Sequence, residues 1–88
     1  MDKTNVILIL IDKRTDAALK VQEILTENGC IIKTRLGMHE TSNCAEEGLI
    51  FLNVKGSEDN INELIKELDN IKRVDAKLVK MSISDKKG

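Results

Sequence analysis

Apolar and polar positions along the chain change their period several times, and each change marks an element. Val6-Ile7-Leu8-Ile9-Leu10-Ile11 is an unbroken apolar run, mostly β-branched, ended by Asp12. Its length suits a strand covered on both faces and is too short for a buried helix. Ala17, Val21, Ile24 and Leu25 then recur at helical spacing, with Lys20, Gln22, Glu23 and Glu27 largely on other faces. Thr15 or Asp16 can cap this helix, because their oxygens accept from unpaired backbone N–H groups. Asn28-Gly29 supplies the stop, since Gly tolerates a left-handed backbone at a helix end. The pattern predicts a helix from about Asp16 to Asn28.

Cys30 to Leu36 reads as a second strand, with Ile32, Thr34 and Leu36 on one face and Ile31, Lys33 and Arg35 on the other. Gly37 to Glu47 is polar and without period, hence a loop. Gly48 to Val54 predicts a third strand, with Ile50, Leu52 and Val54 facing one way and Leu49 and Phe51 the other. Ser57 is a good N-cap for a second helix, about Glu58 to Asn70. There Ile61, Leu64, Ile65, Leu68 and Ile71 form a stripe at three- and four-residue steps. Val74 to Ile83 is the last strand, with its alternation shifting at Leu78-Val79. Residues 1–83 make the domain, and 84–88 form a charged tail expected to fray.

The order β-α-β-β-α-β, with right-handed crossovers, gives an α+β, ferredoxin-like sandwich: a four-stranded antiparallel sheet with two helices on one face. The opposite face should then be polar if it meets water. It is not. With Ile50, Leu52 and Val54 toward the helices, Leu49 and Phe51 point away, the same parity places Ile31 on the outward side, and Val79 and Met81 are candidates on the last strand. A contiguous apolar patch on a domain this small predicts a partner, here a second copy of the chain in a dimer or tetramer. The bland alternative is that a few exposed apolar residues are ordinary.

Composition narrows the partners. The 88 residues leave room for one domain with a limited core. Lys and Arg total 14 against 15 Asp and Glu, for a net charge of −1, which argues against a dominant nucleic-acid surface. Phe51 is the only aromatic residue, so there is no platform on which bases could stack. Two cysteines, Cys30 and Cys44, make no disulfide framework, and no apolar run is long enough to span a bilayer. The expectation is a cytoplasmic protein with reduced thiols and no membrane contact.

Candidate chemistry is sparse. His39 is the only histidine, with Met38, Glu40 and Cys44 nearby in the same loop. His39, Glu40 and Cys44 could give a transition metal its nitrogen, oxygen and sulfur ligands, doubled across a twofold interface, though the spacing matches no strong metal motif. A lone loop histidine is more often simply solvated. Cys30 reads as a small buried apolar residue. Lys33 and Arg35, with Lys13 and Arg14, could receive an anion or merely solubilise the surface. Gly37 lets the chain turn out of the second strand or lets a ligand approach the backbone. Gly48 and Gly56 also flank strands, and no phosphate-binding fingerprint is present. No nucleophile–base pair or carboxylate pair emerges, so the chain does not read as an enzyme.

The segments Arg35-Leu36-Gly37-Met38, Gly48 to Val54, Ile61 to Leu64, Lys66 to Ile71 and Val74 to Lys77 together resemble one family. They are similar to the small ACT-like proteins regarded as regulators of an iron-only hydrogenase system, whose fold resembles the C-terminal domain of nickel-responsive regulators. The resemblance covers nearly the whole chain. It implies an ACT-like domain, homo-oligomers formed by sheet or edge pairing, and a transcriptional regulator that responds to a small ligand or metal. Two departures stand out. Asp12 to Asp16 replaces the glycine that amino-acid-binding ACT domains carry after the first strand, and only His39 stands where nickel-responsive domains have several histidines. No DNA-reading segment is left over, so DNA would be reached through a separate partner protein.

The reading is therefore a homo-oligomeric regulatory domain sensing a ligand at a subunit interface. Its candidate ligand residues are Arg35, Gly37, Met38 and His39, with His39 and Cys44 for a metal. Its interface residues are Ile31, Leu49, Phe51, Val79 and Met81. The sequence names no cofactor. The alternative is a protein-interaction module that docks through the exposed sheet without a small ligand.

Overall fold

A computed structural model describes residues 3–37 and 47–83. The elements follow in the expected order: β1 (Lys3–Asp12), α1 (Ala17–Glu27), a 3₁₀ turn (Gly29–Ile31), β2 (Ile32–Gly37), β3 (Glu47–Val54), α2 (Glu58–Asp69) and β4 (Val74–Ser82). The strands form one sheet in the order β2-β3-β1-β4, every neighbouring pair antiparallel. The apolar run Val6 to Ile11 thus lies in a central strand, paired on both sides.

Local chemistry sets the helix ends. Thr15 ties α1 to the end of β1: its Oγ1 accepts from the Ala17 N–H at 3.1 Å and donates to the Asp12 carbonyl at 3.0 Å. Asp16 holds the N-cap position without a side-chain cap bond, so of the two candidates Thr15 does the work. At the other end both the backbone N–H and the side-chain amide of Asn28 donate to the Ile24 carbonyl. Ser57 caps α2 by accepting from the Asn60 N–H at 3.1 Å. Glu58 and Asp59 in its first turn and Lys66 in its last complement the helix dipole. Gly56 precedes the cap with φ 124°, a backbone state that side chains other than hydrogen rarely tolerate.

Both helices lie on one face. Ala17, Val21 and Leu25 of α1 and Ile61, Leu64 and Leu68 of α2 close over Ile7, Ile9, Ile11, Ile50, Leu52, Val54 and Ala76. All of these are buried, and no polar or charged residue among those described joins them.

The structure corrects the sequence reading in five places. The first strand is covered on one face only. The predicted second strand begins as a 3₁₀ turn, so Cys30 is exposed rather than buried. Ile31 likewise does not lie on the outward sheet face but packs against the core, where a Cβ added at Gly56 would meet its Cγ2 at 3.4 Å. A register shift between Ile32 and Thr34 then reverses the parity of β2. Ile32 pairs with Val54 on the helix side, whereas Leu36 pairs with Phe51 on the open side. Arg35, expected outward, pairs with Leu52 on the helix side, and its guanidinium donates to Gln22 Oε1 of α1. Finally, the expected shift at Leu78-Val79 does not occur. Leu78 sits opposite Ile7 and Val79 opposite Val6, in unbroken alternation.

Candidate functional site

The face without helices is built row by row across the strands. Leu10 of β1 is flanked by Leu49 and Asp75. Leu8 is flanked by Phe51, with Leu36 beyond it, and by Lys77. Val6 is flanked by Asn53 and Val79, and Thr4 lies opposite Met81. The apolar side chains are therefore adjacent, not scattered. Leu10 is 42% exposed, Leu36 57% and Met81 59%, although Leu10 belongs to a central strand. Leu49 and Phe51 are half-buried.

Of the interface residues predicted from sequence, Leu49, Phe51, Val79 and Met81 lie together on this face, and Ile31 does not. The sequence reading missed Val6, Leu8, Leu10 and Leu36. The signal for the first three was present. An unbroken apolar run in a strand with helices on one side must show half of its residues on the other. For Leu36 nothing in the sequence announces the bulge.

One end of this face carries a polar knot. Asp12 accepts from the Arg14 backbone N–H and Nε at 3.0 Å on Oδ1 and from Arg14 Nη2 at 3.1 Å on Oδ2. Arg73 adds Nε at 2.9 Å and Nη2 at 2.7 Å, both on Oδ2. The Asp12 backbone N–H donates to the Arg73 carbonyl at 3.0 Å, joining the end of β1 to the turn before β4. Arg73 has φ 69°, a left-handed state that is costly for a residue with a side chain and is held here from both its backbone and its guanidinium. The bonds from Arg14, and then those from Arg73, hold the Asp12 carboxyl well below the usual carboxylate range. Beside this knot an open cleft of about 490 Å³ is lined by Leu10, Arg14, Glu47, Arg73 and Asp75, among others.

Neither Arg35 nor Gly37, the described ligand candidates, lines either of the two clefts at the ends of the sheet. Arg35 is turned to α1, and Gly37 is exposed at the end of β2. Met38, His39 and Cys44 lie outside the described residues. Among the described residues no group of three or more His, Cys, Asp or Glu side chains is placed to hold a metal. No helix among them is long and apolar enough to cross a membrane.

A four-stranded antiparallel sheet in this order, with two helices on one face and an apolar open face, defines an ACT-like ferredoxin fold. The same architecture recurs at low identity in solved structures. The ACT domain of the GTP pyrophosphokinase of Chlorobium tepidum matches at 14% identity and TM-score 0.64, over 88% of this chain and 96% of that one. A formyltetrahydrofolate deformylase of Pseudomonas syringae pv. tomato matches at 13% and TM-score 0.59, over 91% of this chain and 28% of that one. Uncharacterized protein TM1266 of Thermotoga maritima is more similar, at 27% identity and TM-score 0.81, over 92% of this chain and all of that one. No curated protein matches significantly. Residues 3–78 match the TM1266-like family, described as "Iron-only hydrogenase system regulator, putative", and the chain belongs to that family.

Proposed function

We propose that this chain is a non-catalytic, homo-oligomeric regulatory domain of an iron-only hydrogenase system. It assembles through the open sheet face and responds to a small ligand or metal at the resulting interface, beside the Gly37 to Cys44 segment. The observation that supports this reading is the apolar face on the central strand. Leu8 and Leu10 are flanked by apolar partners in β3, and no helix among the described residues covers them. Burying such a face against a second copy removes apolar surface from water on both sides at once. With a net charge of −1 and no basic excess, the chain would act on transcription through a separate DNA-binding partner.

Sedimentation velocity of the wild type and a Phe51→Glu variant tests the assembly. The wild type should sediment as a dimer or tetramer. The variant should be a monomer with unchanged circular dichroism, because a carboxylate cannot be buried unpaired between two sheets. A wild type that stays monomeric at high concentration would overturn the reading. For the sensing step, thermal shifts of metal-free protein with single divalent metals and amino acids should show one stabilising class, lost in His39→Ala or Cys44→Ala.

A further inference from the structure

The end of the sheet opposite Asp12 and Gly37 holds a second cleft, of about 620 Å³. It lies where β1 begins, where β3 and β4 end, and beneath the start of α2. Its charge is unlike that of the chain. Lys3, Lys33, Lys55 and Lys80 all line it, against one carboxylate, Glu58, in a protein whose net charge is −1. The four lysines come from four different stretches: β1, β2, the β3–α2 connection and β4. The fold, not a basic run in the sequence, brings them together.

Glu58 serves only part of this charge. Lys80 Nζ donates to Glu58 Oε1 at 2.6 Å, and Lys3 adds a weaker attraction to the same carboxylate. Lys33 and Lys55 make no ion pair with any described residue. Gly56 and the first turn of the twelve-residue α2 bring the positive end of a helix dipole to the same wall. Ammonium groups gathered around one cleft repel each other, and a multiply charged anion relieves that repulsion. The volume is of the size that holds a small ligand. No aromatic residue lines it, so a base would find no stacking surface there. What the walls offer is point charges and polar side chains such as Asn5 and Ser82, the chemistry that receives phosphate oxygens.

We propose that this cleft binds a small oligophosphate, held by Lys3, Lys33, Lys55 and Lys80, with Glu58 competing internally for Lys80. The cleft lies at the opposite end of the sheet from Gly37, and Thr4, Asn53 and Met81 on its rim belong to the open face, so the titration is run at a dilution where the chain is monomeric as well as at high concentration.

Calorimetric titration of the full-length chain with inorganic tripolyphosphate at low ionic strength tests it, with a nucleoside triphosphate as a second arm. Saturable one-site binding that weakens with added salt is expected. Lys33→Gln and Lys55→Gln should each weaken it by about fivefold, the scale of one exposed charge contact. Glu58→Gln should tighten it by releasing Lys80. Lys72→Gln, outside the cleft, should leave it unchanged, and the amide resonances of Gly56 and Ser82 should move on titration. The substituted residues are exposed, and thermal melts check that each variant is folded. Equal affinity for both probes identifies the phosphate chain alone as what is recognised, and tighter nucleotide binding identifies a nucleotide as its source. Absence of saturable binding, or equal weakening by Lys72→Gln, would refute the site.

Discussion

The two faces of the sheet use the same alphabet and meet different fates. On β1 the residues Ile7, Ile9 and Ile11 are 0%, 0% and 3% exposed, while their sequence neighbours Val6 and Leu8 are half-buried and Leu10 is largely open. Hydrophobicity does not separate these two sets. Topology does: both crossovers carry their helices to one side, and the other side receives no helix among the described residues. A fully buried aliphatic side chain contributes about 1.5–3 kcal/mol relative to an exposed one. The helix face has realised that stabilisation, and under the proposed assembly a second copy would realise it for the open face.

The largest expected effect comes from truncating the same residue type on each face. Leu52→Ala, at a fully buried position, should cost about 2–5 kcal/mol by urea denaturation, a large share of what a domain this size possesses. Leu8→Ala, measured at a dilution where the protein is monomeric, should cost about 1 kcal/mol or less, because the side chain is already half in water. At high concentration the Leu8→Ala penalty should grow as assembly begins to stabilise the wild type. An equal cost for both at high dilution would mean that the open face is covered within the monomer.

A smaller effect probes the edge of the open face. Leu36→Lys should leave the monomer's circular dichroism and melting temperature nearly unchanged and weaken association by about tenfold, read by sedimentation equilibrium. Without the bulge in β2, Leu36 would share the face of Ile32, toward the helices, and the same substitution would unfold the domain.

That residue also shows how far the sequence could be read. Period alone revealed the element order, both helical stripes and the outward placement of Leu49 and Phe51, because each signal is local and repeats. Parity in β2 depends instead on one extra residue near Lys33 and on a 3₁₀ turn at Gly29–Ile31. A period-two count carries straight through such features and moves Ile31, Arg35 and Leu36 to the wrong side. The Asp12–Arg14–Arg73 knot and the four-lysine cleft were hidden for a different reason. Asp12 and Arg73 are 61 positions apart, and Lys3 and Lys80 further still, so only the pairing of β1 with β4 brings them together.

The finest expected effect concerns the polar end of the open face. The Asp12 carboxyl is held below its ordinary range by Arg14 and Arg73, so the folded state prefers it ionised more strongly than the unfolded chain does. A depressed carboxylate contributes stability that is fully present above the unfolded pKa of about 3.9 and is lost as the pH falls toward the folded value. Asp12→Asn should therefore melt below the wild type at neutral pH, with a gap that stays level down to about pH 5 and narrows below about pH 4. The variant keeps the β1–β4 backbone bond from residue 12 to Arg73, so the sheet should remain intact. A gap that does not change with pH would show that Asp12 acts through the shape of the turn and not through its charge. It would also place the strain at Arg73, whose replacement by Gly should then recover the lost melting temperature.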